Sequence, residues 1–270
     1  MIKKIMRSLW LGTVLLFIYL PIFILAGYSF LDTPTIGTSG NFTLQNYIKL
    51  FTTPELLDMI VGTLSLALKC AVISTILGTL GAIGAFYSRK GMRRFVVAAN
   101  QIPIVNADVV TGFSICVLLI VVLGVDKNTF IPLIAGHVVM ASPFVYLSVV
   151  PKLKQMDYNL YEAALDLGAS ARQALFRIVI PQIVPGIISG FLLAVTLSMD
   201  DYFITTYTKP ATFNTISTYV VNATKGSHTE VKTALWALST LIFVIILLAV
   251  LISNITANRK AGEKNGTNEI

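Results

Sequence analysis

The most marked shortage in this sequence is of charge. Only 12% of the 270 residues are Asp, Glu, Lys or Arg, whereas 55% are hydrophobic, and the mean hydropathy is +0.79. A soluble globular domain carries about 25% charged residues, so this composition excludes that class. A helix of about 20 apolar residues crosses the hydrocarbon layer of a bilayer, and six stretches are long enough to do so. The sequence therefore predicts an all-α membrane protein with six transmembrane helices.

The residues that carry common enzyme chemistry are also missing. No stretch matches the phosphate-binding pattern G-x-x-x-x-G-K-[ST] or the nucleophile turn G-x-S-x-G. His137 and His228 are far apart, and Cys70 and Cys116 lie in separate apolar runs without metal-ligand or disulfide spacing. We therefore expect no ATP hydrolysis, no metal, no cofactor and no catalytic residue in this chain, and we do not interpret it as an enzyme.

Basic residues indicate the orientation of the spans. With a cytoplasmic N-terminus, most of the basic residues fall on the inside: Lys3, Lys4, Arg7, Arg89, Lys90, Arg93, Arg94, Lys152, Lys154, Arg172, Arg177, Arg259, Lys260 and Lys264. The outside then holds only Lys49, Lys127, Lys209, Lys225 and Lys232. Cytoplasmic loops carry the excess of Lys and Arg, so both termini are predicted to be cytoplasmic.

The spans divide the chain into regions. They are predicted at about 9–30, 60–86, 102–123, 130–150, 183–199 and 234–255. The first is too long for a signal-peptide core and lacks a small-x-small cleavage pattern, so we interpret it as retained. The predicted organisation is an N-terminal region with the first span (1–30), an extracytoplasmic loop (31–59), a core of five spans (60–256) and a cytoplasmic tail (257–270). Residues 89–94 are expected to form a basic loop and residues 202–233 a long Thr-rich loop.

The second predicted span carries small residues at four-residue intervals. These are Ser74, Gly78 and Ala82, together with Gly81 and Ala85. Small side chains let a second helix approach closely, so this face is predicted to pack against another span. Lys69 lies about two turns inside the same span, and we expect it to reach toward the interface rather than to bind a substrate.

The loop 151–182 contains more local structure than a simple connection. Leu160, Ala163, Ala164 and Leu167 follow helical spacing, and Asn159 with Glu162 forms a possible capping box. Gly168 suits the left-handed position that ends a helix. A second capping box, Ser170 with Gln173, then precedes a helix that carries Leu175, Phe176 and Val179 on one face. The sequence predicts a helix-turn-helix between two spans, which is typical of a docking surface.

This loop also carries a family signature. Glu162-Ala163-Ala164, Gly168, Ile178 and Ile180-Pro181 resemble the EAA motif of the integral membrane subunits of binding-protein-dependent ABC importers, with Ile180 in place of the more usual Leu. The resemblance implies that the first short helix is a coupling helix, which inserts into a groove of a cytoplasmic ATPase. Its residues here are Tyr161, Glu162, Ala163, Ala164, Leu167 and Gly168. The alternative is that Glu162 only caps its helix and Gly168 only ends it.

Three acidic residues lie within or at the end of predicted spans: Asp108, Asp200 and Asp201. An ionised carboxylate facing lipid costs about 2.5–3.5 kcal/mol on insertion scales, so such residues face a cavity or a partner. A path lined with carboxylates favours cations, because opposite charges attract more strongly where water is removed. Alternatively, Asp201 is an interfacial charge, and Asp108 caps a helix or pairs with a basic residue. We expect His137 to be a hydrogen-bonded interior histidine.

A closer resemblance surrounds these acids. It rests on Leu197-Ser198-Met199-Asp200-Asp201, Pro210, Ala107-Asp108-Val109-Val110 and Ser142-Pro143-Phe144. These stretches are similar to the spermidine/putrescine branch of ABC permeases, in particular its PotC-type subunits. The resemblance implies a polyamine path along Asp108, Asp200 and Asp201, with Ser198 and Tyr47 as weaker candidates. The loop after Pro210 departs most from that branch.

The same resemblance implies an assembly in a bacterial plasma membrane. The expected partners are a second, PotB-like permease, a PotA-like ATPase homodimer that binds ATP and Mg²⁺, and an extracytoplasmic, PotD-like polyamine-binding protein. Two other functions stay open: an ABC permease for another solute such as iron or thiamine, and an ATP-independent transporter with Asp108 and Asp200 as a proton relay. An intramembrane enzyme is disfavoured by the missing catalytic residues.

Overall fold

The computed structural model describes residues 2–33, 37–225, 233–244 and 247. All regular secondary structure in these ranges is helical, apart from one isolated bridge between Leu31 and Phe42. The helices are α1 (Ile2–Tyr28), α2 (Gln45–Thr52), α3 (Pro54–Tyr87), α4 (Lys90–Val105), α5 (Asp108–Cys116), α6 (Ile131–Gln155), α7 (Tyr158–Asp166), α8 (Ala171–Ala174), α9 (Ile180–Asp200), α10 (Phe203–Thr208), α11 (Ile216–Lys225) and α12 (Thr233–Val244). Two π-helical turns, Val117–Val122 and Leu175–Val179, extend α5 and precede α9. The all-α prediction is confirmed.

Among the described residues, four helices are long and apolar enough to cross a membrane. They are Leu9–Tyr28, Pro54–Tyr87, Ile131–Gln155 and Ala171–Asp200, and they match the first, second, fourth and fifth predicted spans. The last of these runs from α8 through the π turn into α9, so it begins well before the predicted residue 183. Of the sixth predicted span, α12 covers the beginning, and most of the remainder lies outside the described residues, as does the tail 257–270.

The third predicted span is not one straight helix. The axes of Lys90–Val105 and Asp108–Val122 meet at 105°, so the described chain has four spans, or five if this bent pair counts as one. Asn106 and Ala107 both adopt extended backbone angles between the two helices, and Asn106 Nδ2 donates to Thr111 Oγ1 at 3.0 Å. The third predicted span, at about 102–123, therefore contains a bend that the sequence did not predict, because apolar composition sets the length of a stretch but not its direction. The basic residues 90–94 form the first turns of α4 and not a loop.

The chain divides into two compact units, 1–57 with 220–270, and 58–219. In the larger unit, α6 and α9 pack closely around the buried residues Val145, Val149 and Ile183. Glycine makes this approach possible, since a Cβ at Gly186 of α9 would lie 2.9 Å from the carbonyl oxygen of Ser148. A Cβ at Gly78 of α3 would lie 2.8 Å from the carbonyl oxygen of Ser142. The small-residue face predicted for the second span thus packs against α6, as expected.

The smaller unit holds α1 and α2, and buried Asn46 connects them. Its Nδ2 donates to the carbonyl oxygens of Ser29 at 2.9 Å and Leu31 at 3.0 Å, which satisfies acceptors just after the end of α1. The short helix expected near 44–51 is confirmed as α2. The outward side chains of α1 are apolar and exposed, as a lipid-facing helix requires.

Candidate functional site

A break between α9 and α10 positions the two adjacent acids differently. α9 ends at Asp200, the backbone of Asp201 is extended, and α10 begins at Phe203. Asp201 is only 8% exposed, and its carboxylate accepts hydrogen bonds from Ile204 N at 3.2 Å, Thr205 N at 2.7 Å and Thr205 Oγ1 at 2.8 Å. A carboxylate that binds the free N–H groups of the first turn caps the helix. Asp201 is therefore a buried helix cap, not the interfacial charge that the sequence left open.

His137 joins three helices around this cap. It is fully buried on α6, with Nδ1 2.8 Å from Ser198 Oγ of α9 and Nε2 3.0 Å from Thr205 Oγ1 of α10. Nε2 also lies 3.7 Å from Asp201 Oδ2. Both ring nitrogens have partners, as buried polar groups require. The interpretation of His137 as a hydrogen-bonded interior histidine is confirmed. We call His137, Ser198, Asp201 and Thr205 the buried polar cluster.

Glycines on α5 and α6 allow α10 to pack closely against both helices. A Cβ at Gly136 of α6 would lie 2.5 Å from Ile204 Cγ2, and a Cβ at Gly112 of α5 would lie 2.9 Å from Ile204 Cα. Ile204 and Thr208 are fully buried, and the Thr208 hydroxyl donates to the carbonyl oxygen of Ile204 at 2.6 Å. The prediction of a Thr-rich loop from residue 202 is thus wrong over α10 and α11. Threonine is compatible with burial here because its hydroxyl bonds to the preceding turn.

Asp200 and Asp108 contrast with Asp201. Asp200 is the last residue of α9 and Asp108 the first of α5, and both are exposed. Among the described residues, neither carboxylate forms an ion pair. Asp108 also does not cap the helix that contains Pro103, because that helix ends at Val105. Two carboxylates at the ends of apolar helices are therefore available to a ligand.

Lys69 and Tyr47 complete the residues considered from the sequence. Lys69 is exposed near the middle of α3. Tyr47 belongs to the smaller unit, where its hydroxyl shares a hydrogen bond of 2.8 Å with Ser29 Oγ and its ring packs on Phe30. In the described part of the chain, no three His, Cys, Asp or Glu residues are grouped so as to hold a metal ion.

The helix-turn-helix predicted after α6 is present, and we call residues 157–181 the elbow. Asp157 caps α7 by accepting from Asn159 N at 3.0 Å, so the expected Asn159–Glu162 capping box is wrong. Gly168 has φ +87°, the left-handed conformation predicted for it. Ser170 and Gln173 form the predicted capping box, with bonds of 2.9 and 3.3 Å.

The apolar face of the elbow has no cover within the described chain. Leu167 is 89% exposed and Leu160 is 50% exposed, whereas Tyr161 packs its ring against Tyr87 of α3, with centroids 5.3 Å apart. Glu162 is exposed beside them and forms no ion pair with a described residue. The elbow is thus fixed to the membrane helices through Tyr161, while Leu160, Glu162 and Leu167 stay exposed.

Comparison with known proteins agrees with this architecture. A family model described as "Binding-protein-dependent transport system inner membrane component" matches residues 74–260. The spermidine/putrescine transport system permease protein PotC of Escherichia coli (strain K12) is 29% identical over 268 residues, 98% of this chain and 99% of that protein. The putrescine transport system permease protein PotI of the same strain is 30% identical over 253 residues, 88% of this chain and 87% of that protein.

Solved structures show the same fold. A chain of a bacterial ABC transporter involved in the import of the acidic polysaccharide alginate matches with a TM-score of 0.73 and 19% identity, over 93% of this chain and 96% of that one. A likeness at this identity concerns the fold alone. Since the family model covers more than half of the sequence, the chain belongs to the inner membrane components of binding-protein-dependent transport systems, the permease subunits of ABC importers.

Proposed function

We propose that this chain is a permease subunit of an ATP-driven importer of polyamines, such as spermidine and putrescine, in a bacterial plasma membrane. The observation that carries the proposal is the similarity to PotC and PotI along nearly the full length of the chain. The exposed carboxylates of Asp108 and Asp200 agree with it, because polyamines are polycations and carboxylates near apolar surroundings attract cations strongly.

The proposed topology has six spans and both termini in the cytoplasm. The bent pair α4–α5 supplies the third span and α12 begins the sixth. Most Lys and Arg residues lie in the N-terminal segment, in the connections between spans 2 and 3 and between spans 4 and 5, and in the C-terminal tail, which supports this orientation. The elbow then lies on the cytoplasmic side.

The elbow is the proposed site of coupling to the ATPase. Leu160 and Leu167 offer an apolar surface, and Glu162 adds a charge beside it. A contiguous exposed apolar patch marks a contact with a partner. Tyr161 holds the elbow against α3, so a displacement of α7 is transmitted to the membrane helices.

The proposed assembly contains this chain, a second related permease, an ATPase homodimer and an extracytoplasmic polyamine-binding protein. ATP and Mg²⁺ bind to the ATPase and not to this chain. Closure of the ATPase dimer moves the elbow, and the spans switch the side on which the path is open. Nucleotide drives this change only by stabilising one arrangement more than the other.

Within the path, Asp108 and Asp200 are proposed to contact the cargo. Asp201 and Ser198 act through the buried polar cluster, which holds the α9–α10 break and so sets the position of Asp200. Tyr47 is a weaker candidate, because its hydroxyl already bonds to Ser29.

Uptake of radiolabelled spermidine and putrescine into cells that contain the whole transporter tests the proposal. Asp200→Asn removes the charge at the end of α9 and should strongly reduce uptake. Asp126→Asn is the matched control, because Asp126 is exposed in the loop before α6 and its Oδ1 only accepts from Asn128 N. Wild-type kinetics in Asp200→Asn would reject a polyamine contact at this position.

Two further arms separate the rival functions. Excess iron or thiamine that abolishes polyamine uptake, and is itself imported, would assign a different cargo. Uptake that persists without the ATPase but stops when the proton gradient is collapsed would assign secondary transport. Uptake that requires the ATPase and is competed only by polyamines agrees with the proposal.

A further inference from the structure

Helix α4 has a second face that does not pack on the described part of the chain. One side of the helix contacts the core through Val96 and Val97, and Asn100 Nδ2 donates to the carbonyl oxygen of Pro143 at 3.4 Å. No residue of α4 is buried. On its outer side Phe95 is 70% exposed and Ile102 is 67% exposed. Such a helix has a large apolar surface that faces away from the protein.

The same helix begins with a concentration of positive charge. Arg89, Lys90, Arg93 and Arg94 lie within six residues, and the sequence has no acidic residue between Asp58 and Asp108. In the described part of the chain, none of these four side chains forms an ion pair. Like charges three and four residues apart destabilise a helix, so an external anion would stabilise this one.

Three of these four cations line an open pocket of about 360 Å³. Its walls are Lys90, Arg93, Arg94, Val97, Ala98 and Gln101. The side chains of the three basic residues form one part of the wall, and Val97 and Ala98 form another. Arginine binds phosphate through two parallel N–H donors, so this wall fits the oxygens of a phosphodiester.

The position of α4 decides between a lipid and a soluble anion. Tyr87, the last residue of a candidate span, lies three positions before Lys90, and α5 begins three positions after Val105. The basic start of α4 is therefore held next to the apolar layer. Asn100 of the same helix donates to the carbonyl oxygen of Pro143 near the middle of α6, so α4 runs from the membrane surface into the apolar layer, with Phe95 and Ile102 among the acyl chains.

We propose that α4 binds the headgroup of an anionic phospholipid in this pocket. Lys90, Arg93 and Arg94 contact the phosphate, while Phe95 and Ile102 contact the acyl chains. The site anchors the first turns of α4 to the membrane surface. Basic residues near an anionic leaflet attract its lipids, and this attraction weakens as salt is added.

Native mass spectrometry of the purified full-length chain in detergent tests the proposal. Dioleoyl phosphatidylglycerol is titrated against dioleoyl phosphatidylcholine, which has the same acyl chains. The triple variant Lys90→Gln, Arg93→Gln, Arg94→Gln should lose the preference for phosphatidylglycerol, with an affinity lower by roughly 100-fold if each charge contributes about fivefold. All three side chains are on the surface of a helix without buried residues, so the variant should fold.

A matched control removes three charges elsewhere. This second triple variant changes exposed basic residues at the end of α6, in α8 and in the π turn: Lys154→Gln, Arg172→Gln, Arg177→Gln. It should keep the preference for phosphatidylglycerol. The charge-preserving variant Arg93→Lys, Arg94→Lys should show an intermediate loss, because lysine lacks the paired donors. Equal binding of both lipids by the wild-type chain, or an equal loss in both triple variants, would overturn the proposal.

A photoreactive residue at Phe95 gives an independent result in native membranes. Its crosslinks in the assembled transporter should have the mass of phospholipid adducts. Crosslinks to another polypeptide would instead show that a protein subunit covers this face, and the lipid site would be rejected.

Discussion

Asp200 and Asp201 are adjacent, yet the structure predicts opposite consequences of their removal. Asp201→Ala should destabilise the protein, whereas Asp200→Ala should leave stability unchanged and reduce transport. The difference follows from their surroundings, since Asp201 is buried and hydrogen-bonded and Asp200 is exposed at the end of α9.

The expected magnitude comes from the donors that Asp201 satisfies. Its removal leaves the N–H groups of Ile204 and Thr205 without an acceptor in a buried region. Each unsatisfied buried donor costs about 1–3 kcal/mol, so a loss of about 3 kcal/mol is expected. Asp201→Asn should be intermediate, because its amide oxygen still accepts one bond while its amide nitrogen faces a second donor.

Cys70 provides a reporter for this measurement. It is fully buried in α3, so a thiol-reactive fluorophore labels it only as the protein unfolds. The assay follows labelling of the detergent-solubilised chain during heating, in a Cys116→Ala background that removes the partly exposed second thiol. Asp201→Ala should unfold several degrees below the parent protein, and Asp200→Ala should unfold at the same temperature as the parent.

Two outcomes would refute this reasoning. If Asp201→Ala unfolds at the parent temperature, the carboxylate does not cap α10. If Asp200→Ala is destabilised as much as Asp201→Ala, the Asp200 carboxylate has a structural partner. Reduced transport by Asp200→Ala would then no longer indicate that Asp200 contacts the cargo.

Three further predictions concern other contacts. Gly168→Val should abolish uptake without loss of expression, because φ +87° is strained for a β-branched residue, and a steric clash is not the cause since no atom lies within 4 Å of the Cβ position. Gly168→Asn should retain uptake, because Asn tolerates this conformation. Equal uptake in both variants would exclude a backbone effect. Gly136→Ala should lower the unfolding temperature by overpacking against Ile204, at a cost of about 1–3 kcal/mol, and adding Ile204→Ala to that variant should recover part of the loss. The control Gly84→Ala should not destabilise the protein, because the space around Gly84 is open. If Gly136→Ala and Ile204→Ala have independent effects on stability, the close approach of α6 and α10 is contradicted. Leu167→Asp should leave the unfolding temperature unchanged, because the side chain is 89% exposed. It should abolish ATPase-coupled uptake, because α7 is the proposed docking site for the ATPase. Normal uptake in this variant would show that Leu167 is not part of that contact.

Local patterns predicted the elbow well. Gly168 and the Ser170–Gln173 box depend on residues within four positions of each other, and such interactions are visible as spacing. The start of α7 was the exception. Asp157 caps the helix in place of Asn159, because both types cap well and only the backbone path shows which one precedes the first turn.

The bend at Asn106 and the burial of α10 were not predictable in this way. Hydropathy measures the transfer of side chains to lipid, and it is the same for a straight helix and for one that turns by 105°. The Thr content of 202–233 indicated a loop, but a threonine hydroxyl that bonds to the preceding turn is compatible with a buried helix.

By itself, the sequence determined the membrane class, four of the spans, the small-residue face of α3 and the form of the elbow, because each depends on composition or on neighbours along the chain. Only the tertiary structure decided the different surroundings of Asp200 and Asp201. The buried polar cluster brings His137 within 3.0 Å of Thr205, 68 positions later, and a pairing over that distance depends on how α6, α9 and α10 pack. Two identical side chains next to each other therefore look equivalent in the sequence and become a helix cap and an exposed charge in the fold.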